Sequence, residues 1–318
     1  MNRSKKIIEY LDDYLLYIDI ERGLSVKTQE SYGRFLEVFF RWLRENKFDN
    51  VKPKDLDADL VWNYRVYLSR HIDLKTRQGL KKATQNYYLI ALRSLLDFFV
   101  TKKIDSLSPA EIKLARNKSD KEVYTLKVEE VERLLLSPNI KNKIGLRDRA
   151  ILESLFSTGL RVAELVSLDR SQVQVSVKVS DLEVAITGKG GHVRAVYFSQ
   201  RANGWLQKYL KTRLDSDKAL FVNYKPGKIE PGKSRRLTTR SVENIVKKYV
   251  KISGLPSVIT PHTLRHTFAT DLLSHGADLR LVQEFLGHKN IATTQIYTHV
   301  TNKELKDMHR KVHGKRRI

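Results

Sequence analysis

The sequence predicts a mainly α-helical fold with one small antiparallel β-sheet, because two different periodicities occupy separate stretches of it. Over Val26 to Glu45, the residues Tyr32, Phe35, Leu36, Phe39, Phe40 and Leu43 recur at the spacing of one face of an amphipathic helix. Tyr88, Leu92, Leu95, Leu96 and Phe99 make a second such stripe, and Ile7 to Ile18 and Leu60 to Leu68 supply two more helical segments. Residues 1–108 therefore read as an N-terminal helical bundle whose aromatics are its core. Further on, Leu182 to Thr187 and Val193 to Phe198 alternate as strands do. Between them, Gly188-Lys189-Gly190-Gly191-His192 reads as a hairpin turn with Lys189 at its tip.

A length of 318 residues accommodates two domains. From Asp105 the apolar pattern decays through Pro109 into the charged run Arg116 to Lys121, so residues 109–124 are expected to be a linker and 125–318 a second domain. Within that domain, 223–240 mixes Pro226, Gly227, Pro231 and Gly232 with lysines and arginines, a basic loop before a helix starting near Thr238 or Thr239. Lys303 to Val312 reads as a short terminal helix, followed by a basic tail.

Charge points to a polyanionic partner. Lys and Arg number 59 against 36 Asp and Glu, a formal net charge of +23, and the isoelectric point is near 9.9. Such an excess favours nucleic acid and salt-dependent binding. No long apolar run or basic amphipathic terminus suits a membrane. The chain has no cysteine, which excludes disulfides and thiol chemistry, and its start lacks a secretory apolar core. A cytoplasmic location is expected.

The C-terminal part carries residues suited to phosphate chemistry. Thr260 caps and Pro261 opens a helix over Thr260 to Thr270, placing His262 and Arg265 on one face, where an imidazole and a guanidinium address the same anion. Gly287 provides a left-handed stop with His288 at the break, and Tyr297 follows. Upstream, Thr158 and Gly159 end one helix, and Arg161 sits in the first turn of the next. Its neighbour Glu164 is either an ordinary surface partner or a brace that holds Arg161 rigid for a phosphate. His262 and His266 at i, i+4 also have zinc spacing, but the stretch lacks the glutamate of a zinc-protease helix, and Arg265 between them repels a cation. No metal is expected there, nor at Asp169, Asp181 and Glu183, which read as solvated surface.

In order and spacing these pieces resemble the tyrosine recombinases, the family of phage integrases, Cre and the Xer proteins. The resemblance rests on Thr158-Gly-Leu-Arg161-x-x-Glu164-Leu165, Gly188-Lys189-Gly190, His262-x-Leu264-Arg265-His266, Leu286-Gly287-His288 and Tyr297. Gly276 to Arg280 and Thr293 to His299 look most like the Xer branch. The match is close from roughly 125 to 301, and the N-terminal part agrees in character.

The resemblance implies that Arg161, Lys189, His262, Arg265 and His288 surround the nucleophile Tyr297. Chemistry gives each a task. A phosphodiester repels a nucleophile, so its pentacoordinate transition state needs fixed positive charge, which two arginine forks supply. A tyrosine with an ordinary pKa of about 10 must be activated in place. Lys189 is positioned to protonate the departing 5′-oxygen, while His262 and His288 donate hydrogen bonds or relay protons. The family also implies a C-shaped clamp of two domains on double-stranded DNA at a specific site. It implies a homotetramer on two sites, alone or with a paralogue, in which a terminal helix docks into the neighbouring protomer. No cofactor is expected, since the 3′-phosphotyrosyl bond stores the energy for rejoining. Xer-like boxes favour chromosome dimer resolution over element integration or inversion. A type IB topoisomerase-like relaxing enzyme and a non-catalytic architectural DNA-binding protein are the alternatives.

Overall fold

A computed structural model of the chain describes residues 5–72, 77–115, 124–173, 182–188, 193–224 and 234–287. Two compact units divide it, residues 1–120 and 121–318. In the first, a 3-10 turn at Ile7–Tyr10 runs into α1 (Leu11–Ile20), followed by α2 (Val26–Glu45), α3 (Ala58–Arg70) and α4 (Lys82–Thr101). The stripe of α2 behaves as its period requires: Leu36, Phe39, Phe40 and Leu43 are buried, and Tyr32 and Phe35 pack half-buried against them. α2 lies on α4 and α1. Asp57 caps α3 by accepting the Leu60 N–H at 2.8 Å, which satisfies one of the helix's orphan donors. After α4 the chain stays on this unit. Ile112 is buried in its core, and the Asn86 side chain brackets Ala115 with bonds of 2.8 and 3.0 Å.

The second unit contains α5 (Val128–Leu136), α6 (Lys143–Thr158), α7 (Val162–Ser167), β1 (Leu182–Thr187), β2 (Val193–Phe198), α8 (Gln200–Leu210), α9 (Thr239–Ile252), α10 (Pro261–Ser274) and α11 (Leu279–Leu286). β1 and β2 pair antiparallel from Leu182 opposite Phe198 to Thr187 opposite Val193. Alternate residues Leu182, Val184 and Ile186 turn into the core. Residues 225–233 of the basic loop expected over 223–240, and the residues after 287, lie outside the described residues, whereas Thr238 caps α9 as expected. No helix among the described residues is long and apolar enough to cross a membrane.

α6 is the axis of this unit, packing against α5, α8, α9 and α10. A helix enclosed on so many sides must pair its charges internally, because an unpaired buried charge is costly. Arg149 donates to Glu153 at 2.9 Å, and Arg147 donates to Asp148 at 2.9 Å. Asp148 also accepts the Tyr249 hydroxyl at 2.9 Å. The helix ends where Gly159 turns left-handed, at φ 60°.

Gly159 packs directly against α10. A Cβ there would lie 2.4 Å from the Phe268 ring. Gly159→Ala should therefore cost about 2–4 kcal/mol, combining overpacking with left-handed strain. Chemical denaturation checks this, and Phe268→Leu in the same background should recover the packing part but not the backbone part.

Candidate active site

Arg161 occupies the position just before α7, not its first turn, with ψ 148°. The carboxylate of Glu164, three residues on, accepts the Arg161 backbone N–H at 2.9 Å and the Arg161 Nη1 at 2.9 Å. One side chain thus caps α7 and grips the guanidinium, as the brace reading expects. Glu164 is only 6% exposed, so its charge must be met by protein. Arg194 of β2 meets it end-on, Nη1 to Oε1 at 3.0 Å and Nη2 to Oε2 at 2.9 Å. Arg265 of α10 stands 4.0 Å from Oε2. Burial pushes the Glu164 carboxyl up, but the bonds from Arg194 and Arg161 outweigh it and hold the group below the usual carboxylate range.

The same three arginines close the end of α11. Arg194 Nε donates to the Phe285 carbonyl at 3.1 Å. Arg265 Nη2 donates to that of Leu286 at 2.6 Å, and Arg161 Nη2 to that of Gly287 at 3.5 Å. These are the carbonyls that a helix C-terminus leaves without partners, and cations suit the negative end of its dipole. Gly287 is left-handed at φ 62°, as its position in the sequence predicts. Arg265 Nη1 also donates to the Gly159 carbonyl at 2.6 Å, tying the end of α6 to α10.

α10 opens as expected, with Pro261 in its first turn and Thr260 accepting the Thr263 N–H. His262 is exposed and Arg265 is buried. His266, one turn beyond His262, is half-buried, and burial followed by the nearby His262 and Arg265 charges lowers its pKa. Of the expected site residues, Arg161, His262 and Arg265 are described, and Arg161 and Arg265 converge on Glu164 and α11. Lys189, His288 and Tyr297 lie outside the described residues. Asp169 pairs with Arg236.

Arg194 escaped the sequence reading. Its partner Glu164 is 30 positions away, and an arginine near the start of a strand reads as ordinary polar alternation. Its signal would have been a charged residue on the partly buried course of β2, legible only once the strand's neighbours are known.

Removing the Glu164 charge leaves buried guanidiniums uncompensated, so Glu164→Gln should cost about 3–5 kcal/mol at neutral pH. The carboxyl's pKa is depressed in the fold, so its stabilisation is complete above the unfolded glutamate value of about 4.3 and fades as pH falls through the lower folded value. Denaturation curves of wild type and variant should accordingly converge on acidification below that value, and a gap independent of pH would refute the assignment.

A profile of the phage integrase family matches residues 124–304, and that of the N-terminal SAM-like domain of phage integrases matches 11–103. Tyrosine recombinase XerD of Oceanobacillus iheyensis is 36% identical over 318 residues, covering 96% of this chain and 99% of its own length. Tyrosine recombinase XerC of Pelotomaculum thermopropionicum is 35% identical over 318 residues, covering 96% and 97%. Among solved structures, the XerH site-specific recombinase in a post-cleavage complex with palindromic difH substrate aligns with a TM-score of 0.69 and 26% identity, over 91% of this chain and 81% of the other. A lambda integrase (75–356) dimer on a COC′ core site shares the fold, with a TM-score of 0.67 and 17% identity over 92% and 95%. With its arginine-ringed carboxylate and relatives that match it nearly end to end, the chain belongs to the phage integrase family of tyrosine recombinases, the enzymes of DNA strand cleavage and religation, on their Xer-like side.

Proposed function

We propose that this enzyme recombines double-stranded DNA at a specific site, with Tyr297 as nucleophile and Arg161, Lys189, His262, Arg265 and His288 around the scissile phosphate. The observation that carries the proposal is the convergence of Arg161, Arg194 and Arg265 on one carboxylate. Three guanidinium charges against one carboxylate leave an excess of two positive charges. That excess lies at the end of α11, two residues before His288.

The step balances without an outside energy source. The Tyr297 oxygen attacks phosphorus, the bond to the 5′-oxygen breaks, and a 3′-phosphotyrosyl bond forms. Lys189 delivers a proton to the departing 5′-oxygen, and His262 or His288 receives the proton of the phenol. Arg161 keeps its side chain 31% exposed, while Glu164 holds its backbone N–H and its Nη1. It is suited to grip a nonbridging oxygen as charge builds there. Reversal with a new 5′-hydroxyl rejoins the strands. Exchange between two duplexes requires four such subunits, so we assign a homotetramer on two sites, alone or with a paralogue, and chromosome dimer resolution as its task.

Covalent capture tests this reading. Wild type incubated with fragmented host DNA and denatured should retain one recurring sequence, and Tyr297→Phe should retain none while still binding. Scattered adducts would favour a relaxing enzyme instead, and tight salt-sensitive binding without adducts an architectural protein. Arg161→Lys should keep DNA affinity within a few fold and slow adduct formation by about 10²–10³.

A further inference from the structure

We propose that Arg194 is a positioning residue for strand cleavage: it donates to both oxygens of Glu164 and pins the Phe285 carbonyl, and so sets where Arg161 and the end of α11 stand. This rests on the recombinase reading above, which counts the Arg194 charge in the cluster but gives the residue no role in the reaction.

Three observations carry it. The Arg194 side chain is 13% exposed, and its guanidinium is held on two sides, by the Glu164 carboxylate and by the Phe285 carbonyl. Its fork takes Glu164 at 3.0 and 2.9 Å while its Nε reaches α11 at 3.1 Å. One planar group therefore joins β2, α7 and α11, a geometry that lysine cannot reproduce. The site is also built around it: a Cβ on Gly287 would lie 2.9 Å from Arg194 Nη1 and 3.1 Å from its Cδ.

The electrostatic consequence concerns Arg161. Were Glu164 to face Arg161 alone, the two would form a closed neutral pair, with the guanidinium drawn onto the carboxylate. Because Arg194 occupies both oxygens, Glu164 engages the Arg161 side chain through Nη1 at one oxygen. Arg161 is anchored without being neutralised, and its side chain remains 31% exposed. Arg194 thus acts on the reaction through Arg161 and the backbone leading to His288, never by touching DNA.

The test compares wild type with Arg194→Lys. Single-turnover adduct formation is measured on a synthetic nicked duplex carrying the sequence recovered by covalent capture, at saturating DNA and well below Tm. Amide exchange over 279–287 is followed in parallel. We expect a slower rate by about 10²-fold, the scale of a misplaced catalytic frame, with DNA affinity within a few fold and faster exchange at the end of α11. A residue that merely stabilises the fold would lower Tm and leave the rate of the folded fraction unchanged. Wild-type rates, or unchanged exchange over 279–287, would overturn the proposal. If wild type itself forms no adduct, the recombinase reading fails, and the exchange measurement alone decides the role of Arg194. Should Arg194→Lys not fold, Gly287→Ala pushes the same guanidinium from the other side with its charge intact, and the same two readouts apply.

Discussion

A single buried carboxylate organises the catalytic unit. Glu164 cannot be left charged among apolar neighbours without compensation, and any group that answers it must come close and be fixed. Arg161 answers from its own helix start, Arg194 from the sheet, and Arg265 from the far side at 4.0 Å. Pieces of chain separated by many residues thereby acquire one common origin. The same guanidiniums then spend remaining N–H groups on the carbonyls of Phe285, Leu286 and Gly287. The frame around the carboxylate and the last turn of α11 are consequently a single hydrogen-bonded body.

In the proposed site this arrangement resolves a conflict inherent in phosphoryl transfer. A site rich in positive charge repels itself, yet it must be rigid before the substrate arrives if it is to stabilise a transition state without reorganising. One carboxylate beneath several arginines lowers the repulsion while leaving positive charge in excess. Helix carbonyls contribute further negative partial charge from behind. The positive groups are held from within, and Arg161 faces outward.

Packing beneath the site serves the same end. α6 threads the unit with its buried charges paired, within the helix and to Arg201 of α8, and it ends at Gly159, whose carbonyl accepts from Arg265 at 2.6 Å and whose missing side chain admits Phe268. The end of one central helix is thus fastened to the start of the signature helix α10. The N-terminal unit has a separate aromatic core, in which Tyr10, Tyr14, Phe39, Tyr64, Phe98 and Phe99 are buried.

Much of this was legible in the residues themselves. The stripe in α2, the period-two strands, the Thr260–Pro261 helix start and the glycine stop at 287 are local patterns, decided within a few residues by steric and capping preferences, and the ordered boxes carried the family and its chemistry. Spacing also brought out the Arg161–Glu164 pair, because residues three apart on a helix are neighbours. Its rank was invisible: nothing local distinguishes a surface pair from a buried hub. That depended on which arginine of a distant strand arrived at the same carboxylate, and Arg194 lies 30 positions from Glu164. The sequence by itself determined the elements and the polyanionic partner, since those follow from side-chain chemistry and short-range geometry. Only the tertiary structure decided which charges are buried together, because the cost of burying a charge is set by whatever else the fold brings within reach.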